Sequence, residues 1–261
     1  CARPRRAPDP VEDQTSIWQD WRAVLADRAF LLFAAAMTGS YVLSFQVYLA
    51  LPLHAADLAP QHQALLIAAL FVVSGVVAVA AQLRVTRWFS SRWGTSRSLV
   101  IGMTVVALSF TPLILLPDTR FGTPAGIAAL LLSTAVLAIG SAAVFPFEMD
   151  TVVGLSGGRL VGTHYGFYST IVGVGILAGN VATGALMQAA NQHSLGVLVW
   201  TALTGIGLLC TAALHTLARN GHLREAHPAT ANPSQTAPHG NGVPTRSHPH
   251  DTDRTNPRSH P

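Results

Sequence analysis

The chain has 261 residues, of which 50% are apolar and only 11% charged, and its mean hydropathy is positive. Ordinary soluble domains carry roughly 25% charged residues, so this composition excludes that class and is typical of a membrane protein. The net charge of +4 does not indicate nucleic-acid binding, because the arginines lie at the edges of apolar runs and in the tails.

Residues 1–29 are predicted to form a cytoplasmic lead-in. Proline and charged residues dominate its first half, and a short interfacial helix follows, with its tryptophans at headgroup level. The apolar residues at helical spacing are Ile17, Trp18, Trp21, Val24 and Leu25.

Six apolar runs follow, each close to the roughly 20 residues that cross about 30 Å of hydrocarbon. They cover residues 30–53, 64–83, 99–116, 127–147, 165–187 and 195–217, here called the first to sixth spans. Their continuous apolarity favours helices over the alternating strands of a barrel. The sequence therefore predicts an all-α membrane protein with six transmembrane helices.

Residues 218–261 are rich in Pro, His, Asn, Thr and Ser, and we expect a disordered tail. Its histidines match no closed metal-site spacing, and Cys1 and Cys210 are too far apart for a metal motif. We expect neither a metal nor a cofactor.

Arginine counts in the short flanks predict that both termini are cytoplasmic. One set of flanks holds Arg22, Arg28, Arg84, Arg87, Arg92, Arg97, Arg159, Arg219 and Arg224, whereas the opposite loops hold only Arg120. Residues 82–102 are interpreted as an arginine-rich cytoplasmic loop.

The first span places Tyr41, Phe45 and Tyr48 on one face, with Gln46 on a neighbouring face. Two phenols and an amide within a membrane helix favour a partly wet, substrate-lining cavity. Simple packing is the alternative, with Tyr48 as an interfacial anchor.

The fifth span is rich in glycine, and Gly173, Gly175 and Gly179 predict close helix packing, either static or sliding. Asn180 on the same helix is an expensive polar group in mid-membrane. It needs either an interhelical hydrogen bond or a substrate contact.

Glu148 and Asp150 follow the fourth span. They are predicted either to pair with Arg84, Arg87 or Arg159 in one conformation, as a cytoplasmic gate, or to lie in a solvated loop. Screened pairs in such a loop contribute less than about 1 kcal/mol. Because the six runs contain no carboxylate, a proton-coupling residue is expected outside this chain.

Four segments carry a family resemblance: LADRAFLLF, YVLSFQVYLALPL, QLRVTRWFSSRWG and FPFEMDTVVGLSGGRLVGTHYGFYSTIVGVGILAGN. Over about residues 21–217 the chain resembles the C-terminal six-helix half of a major facilitator superfamily transporter, of the bacterial drug:proton antiporter type. The family's loop motif, GxxxDRxGRR, is matched by Arg92 and Gly94, and Arg97 supplies a trailing basic residue. Ser91 and Arg87 stand where that motif has Asp and its first Gly.

The resemblance implies a multi-pass protein of the bacterial plasma membrane. It would work with another six-helix half, in the same or a separate chain, around a central substrate path. By this analogy the first and fourth spans face the cavity, the second and fifth meet the other half, and the third and sixth face lipid. Export of a small hydrophobic or amphipathic compound is the preferred function.

A non-transporting membrane partner, or truncated pseudo-transporter, is the alternative. An enzyme is disfavoured because His215, the one histidine in the predicted runs, has no evident Ser partner.

Overall fold

Six helical segments make up the described part of the protein. The structure is a computed structural model, and it describes residues 28–92, 94–155, 161–193 and 195–220. The segments long and apolar enough to cross a membrane are Arg28–Leu58, Pro60–Gln82, Gly94–Phe121, Thr123–Val153, Tyr165–Gln192 and Gly196–Arg219. This confirms the predicted all-α fold class. The predicted interfacial helix and the tail beyond residue 220 lie outside the described residues.

Three of the spans lie on uninterrupted helices, which run Thr123–Leu155, Val161–Gln192 and Gly196–Arg219. The second span begins with a 3₁₀ turn at Pro60–His62 and continues as the helix Gln63–Arg92. Pro146 is accommodated inside the fourth span without ending its helix. These helices are longer than the apolar runs because long polar side chains at a span's end can extend towards water while the backbone stays helical.

The predicted arginine-rich loop is therefore wrong as a structural assignment. The helix of the second span continues to Arg92, and a new helix begins at Gly94. Gly94 has a φ of 68°, in the left-handed region that glycine enters without a steric penalty from a Cβ atom. Arg84 and Arg97 are exposed on these two helices. Arg87 and Arg92 belong to the first of them, and Arg159 lies outside the described residues.

Proline breaks the first and third spans. A proline has no N–H for the carbonyl four residues earlier, and its ring clashes with that carbonyl. Pro52 thus disrupts the turn at Tyr48, and the first span divides into Arg28–Ser44, a 3₁₀ turn at Phe45–Val47 and Ala50–Leu58. Pro112 acts similarly at Leu108, and the third span divides into Gly94–Leu108, Thr111–Leu115 and Asp118–Phe121.

The spans pack in a fixed order around a core built from the first, third, fourth and sixth. The fourth lies between the second and third, the sixth contacts the third and first, and the first contacts the fifth. The largest fully buried side chains include Phe30, Phe33, Met37, Leu99, Met103, Phe110, Leu130 and Leu203. The second and fifth spans flank this core and are its least buried members.

Candidate functional site

The break in the first span opens a cavity of about 280 Å³. Its wall comes from the broken segment, from the second span and from the fourth span. Phe45 and Tyr48 of the broken segment line it, with Ser74 of the second span and Phe145 of the fourth. Discontinuous membrane helices often border substrate sites, because irregular backbone is tolerated where it faces a cavity.

The cavity combines aromatic rings with hydroxyl groups. Ser44 and Ser141 in its wall are hydrogen-bonded to each other, with their Oγ atoms 2.9 Å apart. Tyr48 is 65% exposed, and its ring lies 5.7 Å from that of Phe45 and 5.9 Å from that of Phe71. Such a surface can bind an apolar ring system and still offer a few hydrogen bonds to a polar group.

The predicted lining residues of the first span do not all line the cavity. Phe45 lines the cavity directly. Tyr41 lies behind it, with its ring 5.2 Å from that of Phe145. Gln46 has no exposed surface in this conformation.

Gln46 and Asn180 join the first span to the fifth. The Gln46 side-chain amide donates to the Val42 carbonyl at 2.7 Å and approaches Asn180 Oδ1 at 3.5 Å. An interhelical partner for Asn180 is therefore present, and substrate contact by either amide stays a prediction. The Gln46 Oε1 atom is buried and has no hydrogen-bond partner, so this polar pair is incompletely satisfied.

Close glycine packing holds the same two spans together. A Cβ added at Gly175 would collide with the Thr38 methyl group, and one added at Gly179 would lie 2.6 Å from Val42. Gly173 differs from the prediction. It faces open space, because a residue two positions before Gly175 points to the far side of a helix.

Glu148 forms a second polar centre at the junction of the first, fourth and fifth spans. Its side chain has no exposed surface. The Tyr168 hydroxyl donates a hydrogen bond to Glu148 Oε1, and the Tyr41 hydroxyl lies near the same carboxyl group. The ring of Tyr168 stacks on that of Phe33 at 6.2 Å. Three elements distant in sequence thus enclose one carboxyl group.

This geometry corrects two expectations. Glu148 lies within the helix Thr123–Leu155 and within a membrane-spanning segment, not in a solvated loop. The expectation that no span contains a carboxylate is therefore wrong. The apolar residues that follow, Val152 among them, continue the helix and bury this face. Asp150 belongs to the same helix but is exposed, as expected for a solvated side chain.

A further cluster of polar side chains lies at the ends of the spans opposite to Glu148. The His54 ring packs edge-on against Trp200 at 5.3 Å, and Asn191 Nδ2 donates to Asp57 Oδ2 at 3.3 Å. Sequence reasoning missed these side chains because the first span was predicted to end at Leu53, whereas its helix continues to Leu58.

Comparison with known proteins identifies the family. An uncharacterized MFS-type transporter of Mycobacterium tuberculosis is 56% identical over 217 residues, which are 83% of this chain and 52% of the relative. The multidrug resistance protein MdtH of Sodalis glossinidius is 28% identical over 211 residues, 81% of this chain and 49% of the relative. The chain belongs to the major facilitator superfamily. No family model and no solved structure matches it.

The chain spans about half the length of the curated relatives it matches. Two of the described spans expose apolar stripes at helical spacing. Val72, Val76 and Val79 form the stripe on the second span, and Val174, Leu177 and Val181 form the one on the fifth. Such surfaces require either lipid or another protein against them.

Proposed function

We propose that this chain is the C-terminal six-helix half of a secondary transporter, and that it exports a small hydrophobic or amphipathic compound by alternating access. The observation that carries the proposal is the cavity at the break of the first span. It is bordered by the first, second and fourth spans. The family resemblance assigns the first and fourth of these to the substrate path.

The chemistry of the cavity supports this substrate class. Aromatic rings at Phe45, Tyr48 and Phe145 offer apolar contact, and the hydroxyls of Ser44 and Ser141 offer polar contact. Pockets for small ligands usually measure about 300–1,000 Å³. At about 280 Å³ this cavity lies at the lower limit, which is consistent with a site completed by a second six-helix half.

The exposed stripes of the second and fifth spans supply a surface for that second half. The fifth span adds Gly173 and Gly184, at which an added Cβ would meet nothing within 4 Å. Small residues allow helix backbones to approach closely in lipid. The other half, in the same or a separate chain, would pack here and form the opposite wall of the path.

The transporter would lie in the bacterial plasma membrane with both ends of this chain in the cytoplasm. The exposed Arg84 and Arg97 support this orientation, because arginine favours the cytoplasmic side. Topology reporters fused after Pro60 and after Ser91 measure it. We expect activity of a periplasm-dependent reporter at Pro60 and of a cytoplasm-dependent reporter at Ser91, and the reverse result would contradict the orientation.

Flux measurement tests the function itself. The chain would be reconstituted into liposomes alone and with a supplied N-terminal six-helix half, with ethidium, an aromatic cation, as the probe. We expect ethidium flux only when both halves are present, because one half encloses one wall of the path. Absence of flux in both preparations would contradict transport and favour a non-transporting membrane partner.

A further inference from the structure

Glu148 is the only carboxyl side chain in the described residues that is fully buried. It lies two residues after Pro146 in the fourth span, where apolar neighbours exclude water from it. One of its oxygens, Oε1, accepts a hydrogen bond from Tyr168. The other, Oε2, is buried and has no hydrogen-bond partner.

The groups that face this carboxyl are phenols. Tyr41 approaches from the first span and Tyr168 from the fifth, and Tyr165 of the fifth span lies near both tyrosines. Among the residues whose side chains the structure describes, no arginine or histidine forms a hydrogen bond with Glu148. Asp150 is on the same helix but exposed. An ionised carboxylate in apolar surroundings is costly when one of its oxygens has no hydrogen-bond partner, so this closed arrangement suits the protonated acid.

The carboxyl is separated from the cavity by a single aromatic contact. The Tyr41 hydroxyl lies near Glu148, and the Tyr41 ring packs against Phe145, which lines the cavity. Phe145 is 36% exposed, so packing does not enclose its ring on all sides. A compound that enters the cavity and displaces this ring pair would bring water to the carboxyl.

We propose that Glu148 is a proton-binding site of this chain, and that its proton is released when the Tyr41–Phe145 contact opens. On release the O–H bond of the acid breaks, the proton passes to water to give hydronium, and the electron pair stays on the carboxylate. The Tyr168 hydroxyl then stabilises the carboxylate by donating its hydrogen bond. The coupling of this step to transport depends on the function proposed above, whereas proton binding does not.

Infrared difference spectroscopy tests proton binding without transport. The chain in lipid nanodiscs would be stepped through a pH series while the C=O stretching band of protonated carboxyl groups is recorded. We expect a titrating band that is lost in Glu148→Gln and retained in the matched control Asp150→Asn. In Tyr168→Phe the band should shift, because Oε1 loses its donor. An unchanged band in Glu148→Gln would overturn the proposal.

A second variant tests the assignment if the first one misfolds. Should Glu148→Gln fail to fold by circular dichroism and size-exclusion chromatography, Glu148→Asp keeps a carboxyl on a shorter side chain. We expect its band to shift in frequency and still titrate. A band identical to that of the unchanged chain would overturn the assignment to Glu148.

Coupling is tested in liposomes that contain both six-helix halves, with ethidium as the probe. We expect a pH gradient to stimulate flux in the unchanged protein, and Glu148→Gln to lose this stimulation while exchange without a gradient persists. Full stimulation in Glu148→Gln would overturn the coupling. No ethidium movement in the unchanged protein would contradict the proposed function. Proton binding by Glu148 would then be judged from the infrared titration alone.

Discussion

Replacing Gly175 with leucine is expected to destabilise this chain strongly, whereas the same replacement at Gly173 should leave its stability nearly unchanged. Even a Cβ atom at Gly175 collides with the Thr38 methyl group, and leucine adds three further carbons. Overpacking of this kind typically costs about 1–3 kcal/mol, and sometimes more.

Thr38 cannot move aside without a loss. Its hydroxyl donates to the Ala34 carbonyl at 2.8 Å, and this bond fixes the direction of its methyl group. Rotation of the side chain to admit leucine would break the bond, so the first and fifth spans must instead separate. Their separation would also weaken the contact between Gln46 and Asn180, which joins the same two spans.

Thermal unfolding in detergent, followed by circular dichroism, measures the difference between the two variants. Gly173→Leu is a matched control because it lies two residues away on the same helix and faces open space. We expect a clear fall in melting temperature for Gly175→Leu alone. Equal losses in both variants would mean that helix propensity, and not the contact with Thr38, determines the result.

The sequence predicts the membrane spans well because span formation depends on local composition. About 20 consecutive apolar residues can satisfy their backbone in lipid only as a helix, whatever lies around them. The helix breaks near Pro52 and Pro112 arise from equally local chemistry. Pro146, however, lies inside an unbroken helix, so the presence of a proline does not by itself predict where a helix breaks. Helix ends were harder to predict, because polar residues at a boundary can either continue a helix or end it.

The candidate site could not be predicted from local pattern, because its contacts join distant parts of the chain. Gln46 and Asn180 are 134 residues apart, and Glu148 and Tyr168 are 20 apart on different helices. Hydropathy alone places Glu148 at the end of a span. The tyrosines that enclose it become apparent only when three helices are packed together.

The two polar centres have different relations to the cavity. The amides of Gln46 and Asn180 join the first and fifth spans on one side, and the carboxyl of Glu148 lies behind the Tyr41–Phe145 contact on the other. Both centres contain a buried oxygen without a partner. A buried polar atom without a hydrogen-bond partner destabilises the packing in which it occurs. A helix bundle that has a second arrangement can supply the missing hydrogen bond in that arrangement.

Filling the cavity should abolish transport without unfolding the protein. Ala138 of the fourth span lines the cavity and is 8% exposed. In Ala138→Phe the new ring would enter the open volume and compete with a substrate for contact with Phe45 and Phe145. The added ring meets empty space, so we expect a melting temperature close to that of the unchanged chain.

The neighbouring residue provides the control. Ile139 is 39% exposed and does not line the cavity, so Ile139→Phe adds an aromatic ring to the same helix without entering the site. In liposomes containing both six-helix halves, ethidium flux should be lost in Ala138→Phe and retained in Ile139→Phe. Retained flux in a folded Ala138→Phe protein would place the substrate path elsewhere. Loss of flux in both variants would mean that the fourth span tolerates no added bulk, and the cavity would then have no special role.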